Sequence, residues 1–157
     1  MYDTRNADAI VSAMIDLTGV LNSPRQDEVL LRLAGVSLDR ALFPLLVRLS
    51  AAPAMSVAEL ADQVGRDSST VSRQLAKLEQ LGLVKRPSAR EDMRVRAALI
   101  TQSGARAVAA ITEARRKVLV ELMRDWPVTE QKMFPVLLQR FADAMKAKLN
   151  STRAGPT

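Results

Sequence analysis

The sequence predicts a mainly α-helical fold carrying one small β-hairpin, and three observations predict it. Apolar residues recur at helical spacing through most of the chain. Serine, threonine, aspartate and glycine fall where helices would start and stop. In one place only, residues 83–86 (LVKR) and 95–100 (VRAALI), two short extended runs flank a polar turn.

In the first segment, ADAIVSAMIDLTGVLN, Ile10, Met14, Leu17 and Leu21 stand at i, i+4, i+7 and i+11, one apolar helix face. Pro24 breaks the pattern, and an apolar stretch then runs to Gly35. A helix is expected over 39–51, with Leu42, Leu45, Leu46 and Leu49 inward. Pro44 inside it is tolerable only in a first turn or at a kink. Ser56-Val57-Ala58-Glu59 reads as a capping box, in which the serine hydroxyl accepts from the amide three residues on and Glu59 reaches back. Val57, Leu60, Ala61 and Val64 would form the inner face of a short helix stopped by Gly65. Asp67 or Ser68 then caps a helix over 68–81, closed by Gly82. Val71, Leu75 and Leu78 share one of its faces, Ser69, Thr70, Arg73 and Lys77 the other, with Gln74 on the flank. The hairpin follows. Thr101 opens a long helix to residue 126, too long for one small domain to cover alone. Thr129 is expected to cap a last helix, with Met133, Leu137, Phe141 and Met145 among its apolar positions and a kink at Pro135. The tail 151–157 has nothing to bury and is expected to be disordered.

Composition narrows the function. The 157 residues are 48% hydrophobic and 25% charged, which suits one globular domain over 1–157. No run of 18 apolar residues suggests a membrane span, and three aspartates with no basic start argue against a secretory leader, so a cytoplasmic protein is expected. Cysteine and histidine are both absent. That excludes thiol chemistry, a Ser-His-Asp triad and histidine-based metal sites, so no catalytic residue, metal or cofactor is expected. The net charge of +6 is uneven. Residues 1–65 carry 5 basic and 8 acidic groups, residues 66–96 carry 8 and 4, and residues 97–157 carry 10 and 5. A basic middle behind an acidic beginning suits a polyanionic partner.

Short helix, tight turn, second helix and hairpin in that order make a helix-turn-helix with a wing, a device most often used on DNA. Ser68, Ser69, Thr70, Ser72, Arg73 and Gln74 would present hydrogen-bonding groups to base edges in the major groove, with Lys77 nearer the phosphates. Arg90, Arg94 and Arg96 would carry the wing to the backbone or into a narrow minor groove. An ordinary solvated surface explains any one of these residues. As a set at the start of such a helix they favour DNA contact.

These residues carry a resemblance. SVAELADQVGRDSSTVSRQLAKLEQLGLVKR with EDMRVRAALITQSG, about residues 56–104, resembles the MarR family of bacterial winged-helix regulators. Its more specific marks are Asp92-Met93-Arg94 and the Leu-x-Thr-x-x-Gly run from Leu99 to Gly104. The resemblance implies a homodimer held by helices at residues 5–35 and 101–150. Ile10, Met14, Leu17, Leu21, Met133, Leu137, Phe141 and Met145 would lie at the dimer interface. A DNA-binding lobe would span 39–100, with Arg94 probing the minor groove and Asp92 orienting the wing arginines. It further implies repression of a pseudo-palindromic operator, relieved by a small apolar or phenolic ligand. The thiol-switched and zinc-sensing branches are set aside by the missing cysteine and histidine. Phe43, Arg48 and Trp126 are pocket candidates without a supporting pattern. The alternatives are an architectural DNA binder of little sequence preference and a winged-helix module that binds protein.

Overall fold

The computed structural model describes residues 3–87 and 96–153. Its elements run α1 (Thr4–Leu21), α2 (Pro24–Ala34), α3 (Phe43–Ala51), α4 (Val57–Val64), α5 (Ser68–Gln80), β1 (Val84–Lys85), β2 (Leu99–Ile100), α6 (Gln102–Leu122) and α7 (Val128–Arg153). The two strands pair antiparallel, Val84 opposite Ile100 and Lys85 opposite Leu99. The mainly α-helical fold with a small hairpin is therefore present. The chain divides into two compact units, Met1–Arg116 and Lys117–Thr157.

In the first unit the main core lies among α3, α4, α5 and the hairpin. Leu45, Leu46, Leu49, Leu60, Val71, Leu75, Leu78 and Val84 are buried together there. A second cluster joins Leu30 and Leu31 of α2 to Phe43, Ile111 and Ala114. α1 buries nothing, and Ile10, Val11, Ile15, Leu17, Val20 and Leu21 are all exposed. In the second unit, α7 exposes Met133, Leu137, Phe141 and Met145, and Trp126 meets Phe134 edge to face at 5.2 Å.

Several boundaries differ from those expected, each for a local reason. The helix expected from residue 39 starts at Phe43. Asp39 folds the chain into a turn instead, its Oδ1 accepting from Ala41 N at 2.8 Å and its carbonyl from Leu42 N at 2.9 Å. Pro44 therefore lies in the first turn, where its missing N–H has no helical partner to lose. α6 ends at Leu122, short of residue 126: Arg124 N and Trp126 N turn to the Glu121 and Met123 carbonyls at 3.3 and 3.1 Å, and Pro127 disfavours helical backbone at Trp126. Thr129 caps nothing: α7 has already begun at Val128, and the Pro127 carbonyl accepts from Gln131 N at 3.0 Å. Pro135 sits within α7 without ending it, and the helix continues through Arg153 into the expected tail. The second strand is only two residues long. Ala97 N donates to the Met55 carbonyl at 2.7 Å, so that part of the arm bonds the connector after α3 rather than its sister strand.

Candidate nucleic-acid interface

Local chemistry sets α5 in place from both ends. Ser56 opens α4 with the expected capping box: its Oγ accepts from Glu59 N at 3.2 Å, and Glu59 Oε2 accepts from Ser56 N at 2.8 Å. Gly65 ends α4 in the left-handed region at φ 65°, where a Cβ would be strained. Two residues later Asp67, not Ser68, caps α5. At the far end Gly82 turns left-handed at φ 70°, and Glu79 Oε1 accepts from Arg86 N at 3.1 Å, tying the hairpin back to the helix.

Val71, Leu75 and Leu78 are wholly buried. Opposite them Ser69, Arg73 and Lys77 are exposed, as is Ser68 at the helix start, while Thr70, Ser72 and Gln74 are half-buried. The hydroxyls are not loose. Asp67 Oδ1 accepts from Ser69 Oγ at 2.5 Å and from Thr70 N at 2.8 Å, and Asp67 Oδ2 accepts from Thr70 Oγ1 at 2.7 Å. Thr70 Oγ1 in turn accepts from Arg73 Nη2 at 3.2 Å. The Asp67 carboxylate thus organises the start of the exposed face.

Arg66, to which the sequence analysis gave no role, braces the flank. Its Nη1 donates to the Ala41 carbonyl at 2.7 Å and to Gln74 Oε1 at 2.8 Å. No local pattern marks it, since the Ala41 carbonyl it meets lies 25 residues away. In the wing, Arg96 is exposed, whereas Arg90, Asp92 and Arg94 lie outside the described residues.

The Leu-x-Thr-x-x-Gly run has a plain structural purpose. Thr101 Oγ1 donates to the Gly82 carbonyl at 2.6 Å and accepts from Gly104 N at 3.1 Å, and Thr101 N donates to the Leu83 carbonyl at 3.2 Å. These bonds fasten the first turn of α6 to the turn that follows α5.

Also in the first unit, a cavity of about 610 Å³ is lined by Phe43, Arg40, Arg48, Gln63, Arg66 and Arg115 among others. Arg48 Nη1 donates to Gln63 Oε1 at 3.2 Å, and the Arg115 guanidinium stands 5.7 Å from the Phe43 ring centre. Gln26 Oε1, on the same cavity, is enclosed without a hydrogen-bond partner among the described residues.

Two carboxylates are held below the ordinary range near about 4. For Asp67 the Ser69 hydroxyl is the largest cause, followed by the hydroxyl and amide of Thr70. For Glu59 it is the Ser56 amide, then the Ser56 hydroxyl. Their lowered folded pKa values contribute stability that is complete above the unfolded values. It is lost as pH falls through the folded ones. Thermal unfolding between pH 5 and pH 2 should show a falling midpoint, and Asp67→Asn should fall less steeply. An Asp67→Asn chain as acid-sensitive as its parent would remove Asp67 from the explanation.

A family model described as the MarR family matches residues 38–95, from the turn before α3 into the wing. A curated relative, the uncharacterized HTH-type transcriptional regulator YxaD of Bacillus subtilis strain 168, is 35% identical over 108 residues. The match spans 69% of this chain and 76% of the relative. The chain belongs to the MarR family. The structure of a MarR family protein from Bacillus stearothermophilus shares its fold over 93% of this chain and 99% of the other, with a TM-score of 0.78 at 19% identity. A crystal structure of MarR is similar over 86% of this chain and 91% of its own, with a TM-score of 0.69 at 26% identity. As a MarR-family chain it is a DNA-binding transcriptional regulator and not an enzyme.

Proposed function

We propose that this MarR-family regulator acts in the cytoplasm as a homodimeric repressor that reads a pseudo-palindromic duplex and releases it on binding a small molecule. The observation that carries the reading is the division of α5. Three wholly buried residues hold it to the lobe, and the opposite face offers Ser69, Arg73 and Lys77 to a partner. The face has no aromatic or aliphatic anchor of the kind protein interfaces favour, and its polar groups suit the major groove. Ser68, Thr70, Ser72 and Gln74 support that surface, and Arg90, Arg94 and Arg96 with Asp92 would serve the wing.

Dimerisation is supported by apolar surface that each unit leaves open. Leu17 and Leu21 of α1 are 52% and 63% exposed, and Met133 and Leu137 of α7 are 57% and 50% exposed. Apolar stripes of this extent on a soluble chain mark an interaction surface. Two subunits would place their readers in half-sites roughly 34–36 Å apart. Ligand release is supported by the arginine-lined cavity, whose size suits a small phenolic or apolar molecule carrying an acidic group.

Selection of bound duplexes from a random pool at near-physiological salt tests the reading. The parent should recover an inverted repeat, and Arg73→Ala should bind less tightly and blur particular positions. Lys77→Ala should weaken all sequences alike and reduce the salt slope by about one phosphate. Enrichment of nothing but AT-rich DNA would point to an architectural binder, and no bound DNA to a protein-binding module.

A further inference from the structure

We infer that hydrogen bonds beneath α5 fix the kind of base edge each reader can meet: Ser69 faces DNA as an acceptor and Gln74 as a donor. The inference rests on the proposed reading of α5 as the sequence-reading helix.

A hydroxyl has one hydrogen to give and two lone pairs to receive with, while an ionised carboxylate can only receive. Ser69 Oγ and Thr70 Oγ1 lie 2.5 and 2.7 Å from the two Asp67 oxygens, so both hydroxyl hydrogens point at Asp67. Ser69, exposed, keeps lone pairs alone for anything beyond. Thr70, half-buried, also receives from Arg73 Nη2, so it orients the arginine. On the flank the situation is reversed. Gln74 Oε1 is occupied by Arg66 Nη1, which is itself anchored on the Ala41 carbonyl. Gln74 keeps the hydrogens of Nε2.

Major-groove chemistry turns this polarity into selectivity. An acceptor matches the exocyclic amino groups, N6 of adenine or N4 of cytosine. A donor matches N7 of the purines, O6 of guanine or O4 of thymine. The paired recognition of adenine by a glutamine needs both ends of the amide, and beside Arg66 only the second lone pair of Gln74 Oε1 is left for it, so the donor end leads. Asp67 and Arg66 are thus positioning residues for specificity that act through their neighbours.

The test uses the operator recovered by selection, with single atoms removed from its bases. Adenine is replaced by purine and cytosine by 2-pyrimidinone to delete the amino group. Guanine or adenine is replaced by its 7-deaza analogue to delete N7. Each duplex is titrated against the parent, Ser69→Ala and Gln74→Ala. Ser69→Ala should be non-additive with loss of one amino group, each change alone weakening binding about fivefold. Gln74→Ala should be non-additive with loss of an N7 or, where thymine is read, with replacement of O4. Asp67→Ser keeps a helix cap but is too short to hold Ser69, so the freed hydroxyl should couple to acceptor atoms as well as to the amino group, at an unfolding midpoint lowered by loss of the carboxylate. Gln74→Glu keeps the bond from Arg66 and should lose the N7 coupling. Ser69 coupled to an acceptor atom while Asp67 is present, Gln74 coupled to an amino group alone, or no coupling for either would overturn the inference while leaving the operator intact. Failure to recover any operator would instead bring down the proposed function, and the inference with it.

Discussion

Gly104→Ala is expected to lower the unfolding free energy by about 3 kcal/mol, at the upper end of what overpacking costs. A Cβ at Gly104 would be driven into the Leu83 carbonyl oxygen and would stand 3.2 Å from Ile100 Cγ2. A side chain in the way could turn aside, but this carbonyl is backbone and is held by the amide of Thr101. Thr101 is bonded in addition to Gly82 and to Gly104 itself, so relief requires lifting the first turn of α6 off the end of the lobe. Gly19 supplies the control. It lies in exposed α1 with nothing within 4 Å of its would-be Cβ, and alanine there should be neutral or stabilising by up to about 1 kcal/mol. Urea unfolding of the two variants decides the matter: equal stability would mean that the motif glycine is not placed by steric need.

What the sequence made legible was local. The capping box at Ser56 and Glu59, the left-handed stops at Gly65 and Gly82, and the cap at Asp67 each depend on residues within four positions. Their chemistry is therefore written in short strings. The inner face of α5 was equally plain, because Val71, Leu75 and Leu78 are separated by helical spacing. The errors came where distant chain competes for a backbone group. Ala97 bonds Met55, 42 residues earlier, and shortens the strand expected from alternation. Arg66 reaches Ala41, 25 residues away, and no local pattern announces that contact. The start of α3 failed for a smaller reason: Asp39 can cap a helix or fold a turn, and here it folds a turn. At the site, residue types were legible but their state was not. Ser69 and Gln74 could be named as hydrogen-bonding groups, whereas the atoms already committed to Asp67 and Arg66 could not.

Leu75→Ala should destabilise the lobe by about 3–4 kcal/mol, a large share of the roughly 5–15 kcal/mol that such a domain has to lose. Leu75 is wholly buried between Val71 and Leu78 and belongs to the cluster that includes Leu45, Leu46, Leu49 and Leu60. Truncation leaves a hole that these neighbours, fixed on three separate helices, can close only in part. Its consequence for function differs in kind from that of Arg73, two residues away on the exposed face. Arg73→Ala should leave the unfolding midpoint unmoved and lose affinity for the folded protein. Leu75→Ala should lose midpoint, and saturating duplex should restore much of it, because DNA that binds only the folded chain draws the equilibrium back. Denaturation with and without duplex therefore separates the two faces of one helix. A Leu75→Ala chain within about 1 kcal/mol of its parent would show that the lobe does not depend on this face to hold α5. Without that dependence, the rigidity that the proposed reading of base edges by α5 requires would have no source in the core.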